Sequence, residues 1–283
     1  MNEPIAIAPA ASHARSGNRL PRLLAWYRAL PSNPVYRRER GDWGQPNSLY
    51  RAVTRYSPFV VLGALVFGAC GSYSNIALFN NVDAIFMVYC LLCLPGMVLS
   101  MLTLYGSIMA PALTAPSINV ERTSGSWEIL LATPQSYRSI IGAKLFGALS
   151  RLGIWKLIFG LSLLQSVMTG LVYIMFSGTG LAGLILVPLT FVRPYLDIFV
   201  AALLGLTFSV RLRSATGALA ATYGVLLVVK MLTGSGIWNL ALGAAMPFSG
   251  ATTWLITLVP IIFIGITILA CLAIISRPYQ PEA

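Results

Sequence analysis

Long stretches without charged residues alternate with shorter polar segments along the chain. A membrane-spanning helix needs about 20 apolar residues, and a helix satisfies its own backbone hydrogen bonds in lipid. The pattern therefore predicts an all-α membrane protein with six transmembrane helices, at residues 57–82, from 84 to about 111, from 157 onward, from about 181 to 210, at 214–232 and at about 251–275.

Two of the uncharged stretches are longer than one helix needs. In residues 84–120, we expect the helix to end near Pro111 and a loop to follow as far as Val120, because proline interrupts helical hydrogen bonding. In residues 231–276, the first part, 233–250, is rich in glycine, serine and tryptophan. This composition indicates a re-entrant or interfacial segment before the last helix.

Composition agrees with a membrane protein and excludes a soluble domain. Of the 283 residues, 57% are hydrophobic and 10% charged, whereas soluble domains carry about 25% charged residues. The net charge of +11 could indicate nucleic-acid binding, but nine arginines lie within residues 1–56 and most other basic residues flank apolar stretches. That distribution is typical of cytoplasmic flanks facing anionic lipid. Membrane lipid is therefore the expected partner of this basic surface, not nucleic acid.

The same asymmetry predicts that both termini lie in the cytoplasm. We divide the chain into a disordered start (1–19), cytoplasmic and interfacial helices (20–56), a transmembrane domain (57–276) and a cytoplasmic tail (277–283). Segments 20–30 and 33–43 mix aromatic residues with arginine, as helices in the membrane interface do. We expect the protein in a bacterial inner membrane.

Arg193 and Asp197 are the only oppositely charged pair inside a predicted span. A spacing of four residues places them on one helix face, where they can form an ion pair, and Pro194 between them is expected to kink the helix. The pair can line a substrate path or act as a gate, it can tie helices together, or the span can end early and leave both residues near water. The four cysteines lie in apolar runs, so we expect no metal site.

Residues 117–147 predict a short helix between two connectors. Gly125 and Ser126 break the preceding structure and cap a helix over Trp127–Ala132, and Thr133–Pro134 ends it. A second helix then begins near Gln135 and runs into the third span. Exposed apolar residues of the short helix, beside charged Glu121, Arg122 and Glu128, can dock a cytosolic partner or lie on the membrane.

The run E-R-T-S-G-S-W-E-I-L-L-A-T-P resembles the signature of the type-2 membrane subunits of ATP-binding cassette (ABC) exporters. It matches that pattern at Glu121, Arg122, Gly125, Glu128, Leu130, Leu131, Thr133 and Pro134, with Lys144 further on. The chain departs from the pattern at Ser126, where threonine is usual, and at Gly142, which lies one position early. The segment NPVYRRE, from Asn33 to Glu39, is similar to the start of the family's interfacial elbow helix.

The resemblance implies a permease that works as one of two membrane subunits, identical or paralogous, with two cytosolic ATPases. The helix at 125–132 would be the coupling helix, and substrate would pass between the two permeases. ATP and Mg would belong to the ATPases, because no phosphate-binding loop occurs in this chain; the chain itself is not expected to be an enzyme. The residues implied in coupling are Glu121, Arg122, Gly125, Ser126, Trp127, Glu128, Ile129, Leu130, Leu131, Thr133 and Pro134.

Three other functions remain open at this stage. An ion-coupled transporter or channel usually carries several intramembrane carboxylates. The predicted spans of this chain hold Asp197 alone, and it lies beside an arginine. An intramembrane enzyme would need a catalytic cluster, and no such motif is present in the sequence. A non-transporting anchor for an ATPase would differ from a permease in a flux assay.

Overall fold

The computed structural model describes residues 25, 27–41, 51–57, 59, 82–176, 183–233 and 250–276. Within these residues all regular structure is helical. Among these residues, a 3₁₀ turn at Leu30–Ser32 precedes nine α-helices: α1 Pro34–Arg40, α2 Val82–Thr114, α3 Ser117–Thr123, α4 Ser126–Leu131, α5 Tyr137–Ser150, α6 Trp155–Phe176, α7 Gly183–Arg211, α8 Ala215–Thr233 and α9 Gly250–Ser276. Residues 51–57 are also helical.

Four stretches of the described chain are helical, apolar and long enough to cross a membrane. They are Pro95–Thr123, Val187–Arg211, Ala215–Thr233 and Leu258–Ser276, and α5 with α6 gives a fifth if this bent pair forms one span. The predicted all-helical membrane fold is thus confirmed with four to five spans. Most of the predicted first span, at 60–81, and of the re-entrant segment, at 234–249, lies outside the described residues.

The prediction that a loop follows Pro111 is wrong. Helix α2 continues through Pro111 to Thr114, and α3 follows after a turn of two residues. Proline removes one backbone donor, but helical bonding can continue beyond it in a membrane bundle. Here the Pro111 carbonyl accepts from the Ala115 N–H at 2.8 Å, and the Ser209 hydroxyl of α7 accepts from the Ile118 N–H at 3.2 Å.

The expectation that one helix runs from near Gln135 into the third span is also wrong. Helix α5 ends at Ser150, and α6 leaves at an angle of 75°. Gly153, with a φ of +66°, takes the left-handed conformation that the corner requires. Trp155 stabilises the corner, since its indole Nε1–H donates to the Leu149 carbonyl at 2.7 Å.

Helix α7 is the centre of the bundle and packs against α2, α6, α8 and α9. Its buried residues include Ile198, Ala201, Ala202, Leu203 and Leu206. Small residues let the backbones of α2 and α7 approach closely. A Cβ added to Gly205 would overlap the Thr114 hydroxyl and lie 3.1 Å from the Pro111 Cα.

We therefore expect Gly205→Leu to separate α2 from α7 and to lower the apparent melting temperature and the yield of folded protein. Overpacking of a tight contact costs roughly 1–3 kcal/mol or more. The matched control is Gly224→Leu in α8, where a Cβ meets nothing within 4 Å. Thermal stability in detergent, followed by size-exclusion chromatography, measures both. Equal stability of the two variants would contradict this packing.

Candidate functional site

The predicted short helix is present as α4, at Ser126–Leu131. Gly125 occupies its N-cap position with a φ of +71°, a left-handed conformation that favours glycine. Ser126 is therefore the first helical residue and not the cap that the sequence predicts. Its hydroxyl points back and donates to the Glu121 carbonyl at 3.4 Å, and it lies 2.8 Å from the Ser124 hydroxyl.

The two faces of α4 differ in exposure. Trp127 is only 8% exposed and belongs to the buried core, against which Leu130 packs. Ile129 is 72% and Leu131 47% exposed, and Glu128 beside them is exposed as well. We call Glu128, Ile129 and Leu131 the exposed face of α4.

Trp127 is thus buried within the chain itself, and its predicted contact with a partner stays a prediction. Trp127 and Leu130 are three residues apart and lie on one helix face, which the chain buries in its own core. Thr133 and Pro134 are exposed just after the helix. The Thr133 hydroxyl donates to the Leu130 carbonyl at 2.6 Å and so ends α4 with a local bond.

Four charged side chains behind α4 form what we call the ion-pair cluster: Arg38, Glu39, Glu121 and Lys144. The Lys144 ammonium Nζ lies 2.8 Å from Glu121 Oε1 and 2.7 Å from Glu39 Oε1. Arg38 Nη2 lies 3.0 Å from the same Glu121 oxygen. Side chains of Lys144 and Glu121 are 1% and 2% exposed, so each buried charge depends on its partners.

The ion-pair cluster joins three separate helices: α1, α3 and α5. Helix α1 begins as its sequence predicts, because Asn33 Oδ1 accepts from the Val35 N–H at 2.9 Å and Pro34 follows the cap. It packs tightly on α5: a Cβ added to Gly147 would lie 2.7 Å from the Glu39 Cβ. The two segments that carry the family resemblance therefore meet in space.

Arg122 ties the same region to the central helix. Its Nη2 donates to the Val210 carbonyl near the end of α7 at 3.1 Å. Arg122 and Glu121 therefore make internal contacts, whereas the family resemblance implies a role in partner coupling for both. Sequence reasoning missed that Lys144 pairs with both Glu121 and Glu39, although Lys144 and Glu39 lie in the segments that it singled out.

A family model described as ABC-2 family transporter protein matches residues 57–254, which is more than half of the chain. The chain belongs to the ABC-2 transporter family. The match includes α4 and the ion-pair residues Glu121 and Lys144, while α1 lies before it. A comparison with curated proteins gives no significant match. Membership makes the chain an integral, multi-pass membrane protein of a family of transport permeases.

The intramembrane charges of this ABC-2 protein do not form the predicted Arg193–Asp197 pair. Asp197 Oδ2 pairs with Lys230 Nζ of α8 at 2.7 Å, and Arg193 Nη2 donates to the Thr233 carbonyl at 2.9 Å. Helices α7 and α8 run antiparallel, so Lys230 and Thr233 of α8 reach Asp197 and Arg193 respectively. Within a helix, an ion pair at a spacing of four residues is less stabilising when the basic residue comes before the acidic one. The contacts tie α7 to α8.

A double-mutant cycle distinguishes the two pairings in the ABC-2 protein. Asp197→Leu and Lys230→Met should each destabilise the fold by on the order of 2–3 kcal/mol, because an unpaired charge remains at membrane depth. Their combination should recover part of that loss, since no lone charge is left. Asp197→Leu with Arg193→Met should not recover it. Thermal stability in detergent is the measurement, and recovery with Arg193 but not Lys230 would contradict the observed pair.

Proposed function

We propose that the chain is the membrane-spanning permease subunit of an ATP-driven exporter. Two such subunits, identical or paralogous, form the translocation path, and α4 couples each of them to a cytosolic ATPase that binds ATP and Mg. Family membership supports the permease assignment. The exposed face of α4 supports the coupling, and it is the observation that carries the proposal.

The exposed face of α4 has the properties of a docking surface. Two apolar side chains stand out from a six-residue helix, beside a carboxylate. Exposed apolar patches on otherwise polar surfaces often mark protein interfaces. A cleft in the ATPase would cover Ile129 and Leu131 and leave Glu128 for a polar contact at the rim.

The contacts behind α4 suit the transmission of force. Trp127 anchors the helix in the core, the ion-pair cluster links the preceding α3 to α1 and α5, and Arg122 links it to α7. ATP binding would close the ATPase dimer and push on α4. Because these contacts hold α4 rigidly, its displacement would move α5 and α7 as rigid bodies. The membrane helices would then tilt with them.

Copurification tests the proposal. The full chain, isolated with an affinity tag from the membranes of its own host, should bring down a cytosolic subunit that contains a phosphate-binding loop, and the complex should hydrolyse ATP. A chain that hydrolyses ATP with no second subunit would contradict the proposal. ATP-dependent flux in reconstituted vesicles separates a permease from an anchor that merely recruits the ATPase.

A further inference from the structure

A cleft of about 470 Å³ lies where α1 meets the corner between α5 and α6. Small-molecule sites typically have volumes of about 300–1,000 Å³. The lining side chains come from α1 and the segment before it, from both sides of the corner and from the middle of α7. Six of them are aromatic: Tyr27, Tyr36, Phe146, Trp155, Tyr195 and Phe199.

The walls of this cleft present hydrocarbon. The Trp155 ring stacks on the Tyr195 ring with centroids 6.0 Å apart, and Phe146 packs on Phe199 at 6.3 Å. Trp155 directs its N–H to the Leu149 carbonyl, and the Tyr195 hydroxyl lies 3.4 Å from the Ser162 hydroxyl. Two polar groups are therefore turned into the protein, and the ring surfaces line the cleft. A flexible apolar chain fits such walls better than a polar ligand does.

Two basic residues directly follow residues that line the cleft. Exposed Arg28 follows Tyr27, and half-buried Arg151 follows Ser150. Glu39 is the single acidic residue in 27–41, and Lys144 already neutralises it. An apolar cleft whose lining residues are followed by arginines complements an acyl chain that ends in an anionic headgroup. Tyrosine and tryptophan are also the residues that membrane proteins place at the lipid headgroup level.

We propose that this cleft binds an anionic phospholipid of the membrane, with one acyl chain between the six aromatic rings and the headgroup phosphate beside Arg28. The lipid fills the space between α1 and the α5–α6 corner. It thereby holds α1 against the α5–α6 corner. This site is separate from the exposed face of α4 and does not depend on the proposed docking of an ATPase.

Photolabelling of the full chain in lipid nanodiscs tests the site. The probe is phosphatidylglycerol with a photoreactive group in its acyl chain, and labelled peptides are mapped by mass spectrometry. Labels should fall within 146–155 and 195–199, and unlabelled phosphatidylglycerol should compete much better than phosphatidylcholine. Arg28→Ala should weaken the competition by phosphatidylglycerol about fivefold, the effect of one basic residue near an anionic lipid.

The matched control is Arg213→Ala, which removes the same charge from an exposed position between α7 and α8. It should leave labelling of the cleft unchanged. Absence of label from both segments would overturn the proposal, and so would equal competition by the two lipids. Labelling that appears only after residues 1–19 are deleted would also overturn it, since the chain's own start would then occupy the cleft.

Discussion

Ile129→Asp is expected to weaken binding of the cytosolic ATPase roughly 30-fold, because central interface anchors contribute about 2 kcal/mol or more each. Ile129 is the most exposed large apolar side chain of α4, so the substitution removes an apolar contact without disturbing the core. Membrane insertion and thermal stability should stay unchanged. Titration of the detergent-solubilised chain with the purified ATPase, followed by fluorescence, gives the dissociation constant.

Val120→Asp is the matched control for this substitution. Val120 is an exposed apolar residue of the neighbouring α3, 45% accessible to solvent, and the change introduces the same charge. It should alter the dissociation constant by less than about twofold, because surface substitutions outside an interface have effects within about 0.5 kcal/mol. Equal loss of binding in both variants would show that general charge, and not the face of α4, determines binding.

Lys144→Met is expected to be the most destabilising single substitution in the ion-pair cluster. It leaves the Glu39 and Glu121 carboxylates close together with Arg38 as the remaining cation. Removal of one partner from a buried ion pair typically costs about 3–5 kcal/mol. The variant should therefore fold in low yield, with α1 detached from α5. Thermal unfolding followed by size-exclusion chromatography measures the loss.

The double variant Lys144→Met/Glu121→Leu should recover much of the stability, because it removes one charge of each sign and leaves Arg38 and Glu39. Arg138→Met serves as the control: it removes a cation from an exposed position of the same helix α5 and should change stability little. If Lys144→Met proves as stable as Arg138→Met, the cluster does not hold these helices together.

The helical class, most of the described spans and the position of α4 could be predicted from the sequence. Long uncharged stretches have few alternatives in lipid to a helix. Gly125 and Pro134 limit α4 on both sides, because each favours a backbone conformation that a helix interior excludes. The resemblance of the segment around α4 then gave the family, which the match over residues 57–254 confirms.

Contacts between distant segments could not be predicted in the same way. Trp127 belongs to a helix of six residues, too short for its periodicity to show which face is inward. Glu39 and Lys144 are 105 residues apart, and Asp197 finds Lys230 on the next helix. Such pairs depend on how the helices pack against each other, while sequence spacing reports on one helix at a time.

Crosslinking of the purified complex tests directly whether α4 is the helix that contacts the ATPase. A photoreactive amino acid is placed at position 129 of the full chain. For comparison it is placed at position 213, between α7 and α8, and at position 276, the last residue of α9. We expect strong crosslinks from position 129 to the cytosolic ATPase, in a cleft of that subunit. Crosslinks from position 213 or 276, with none from 129, would contradict the assignment of α4 as the coupling helix.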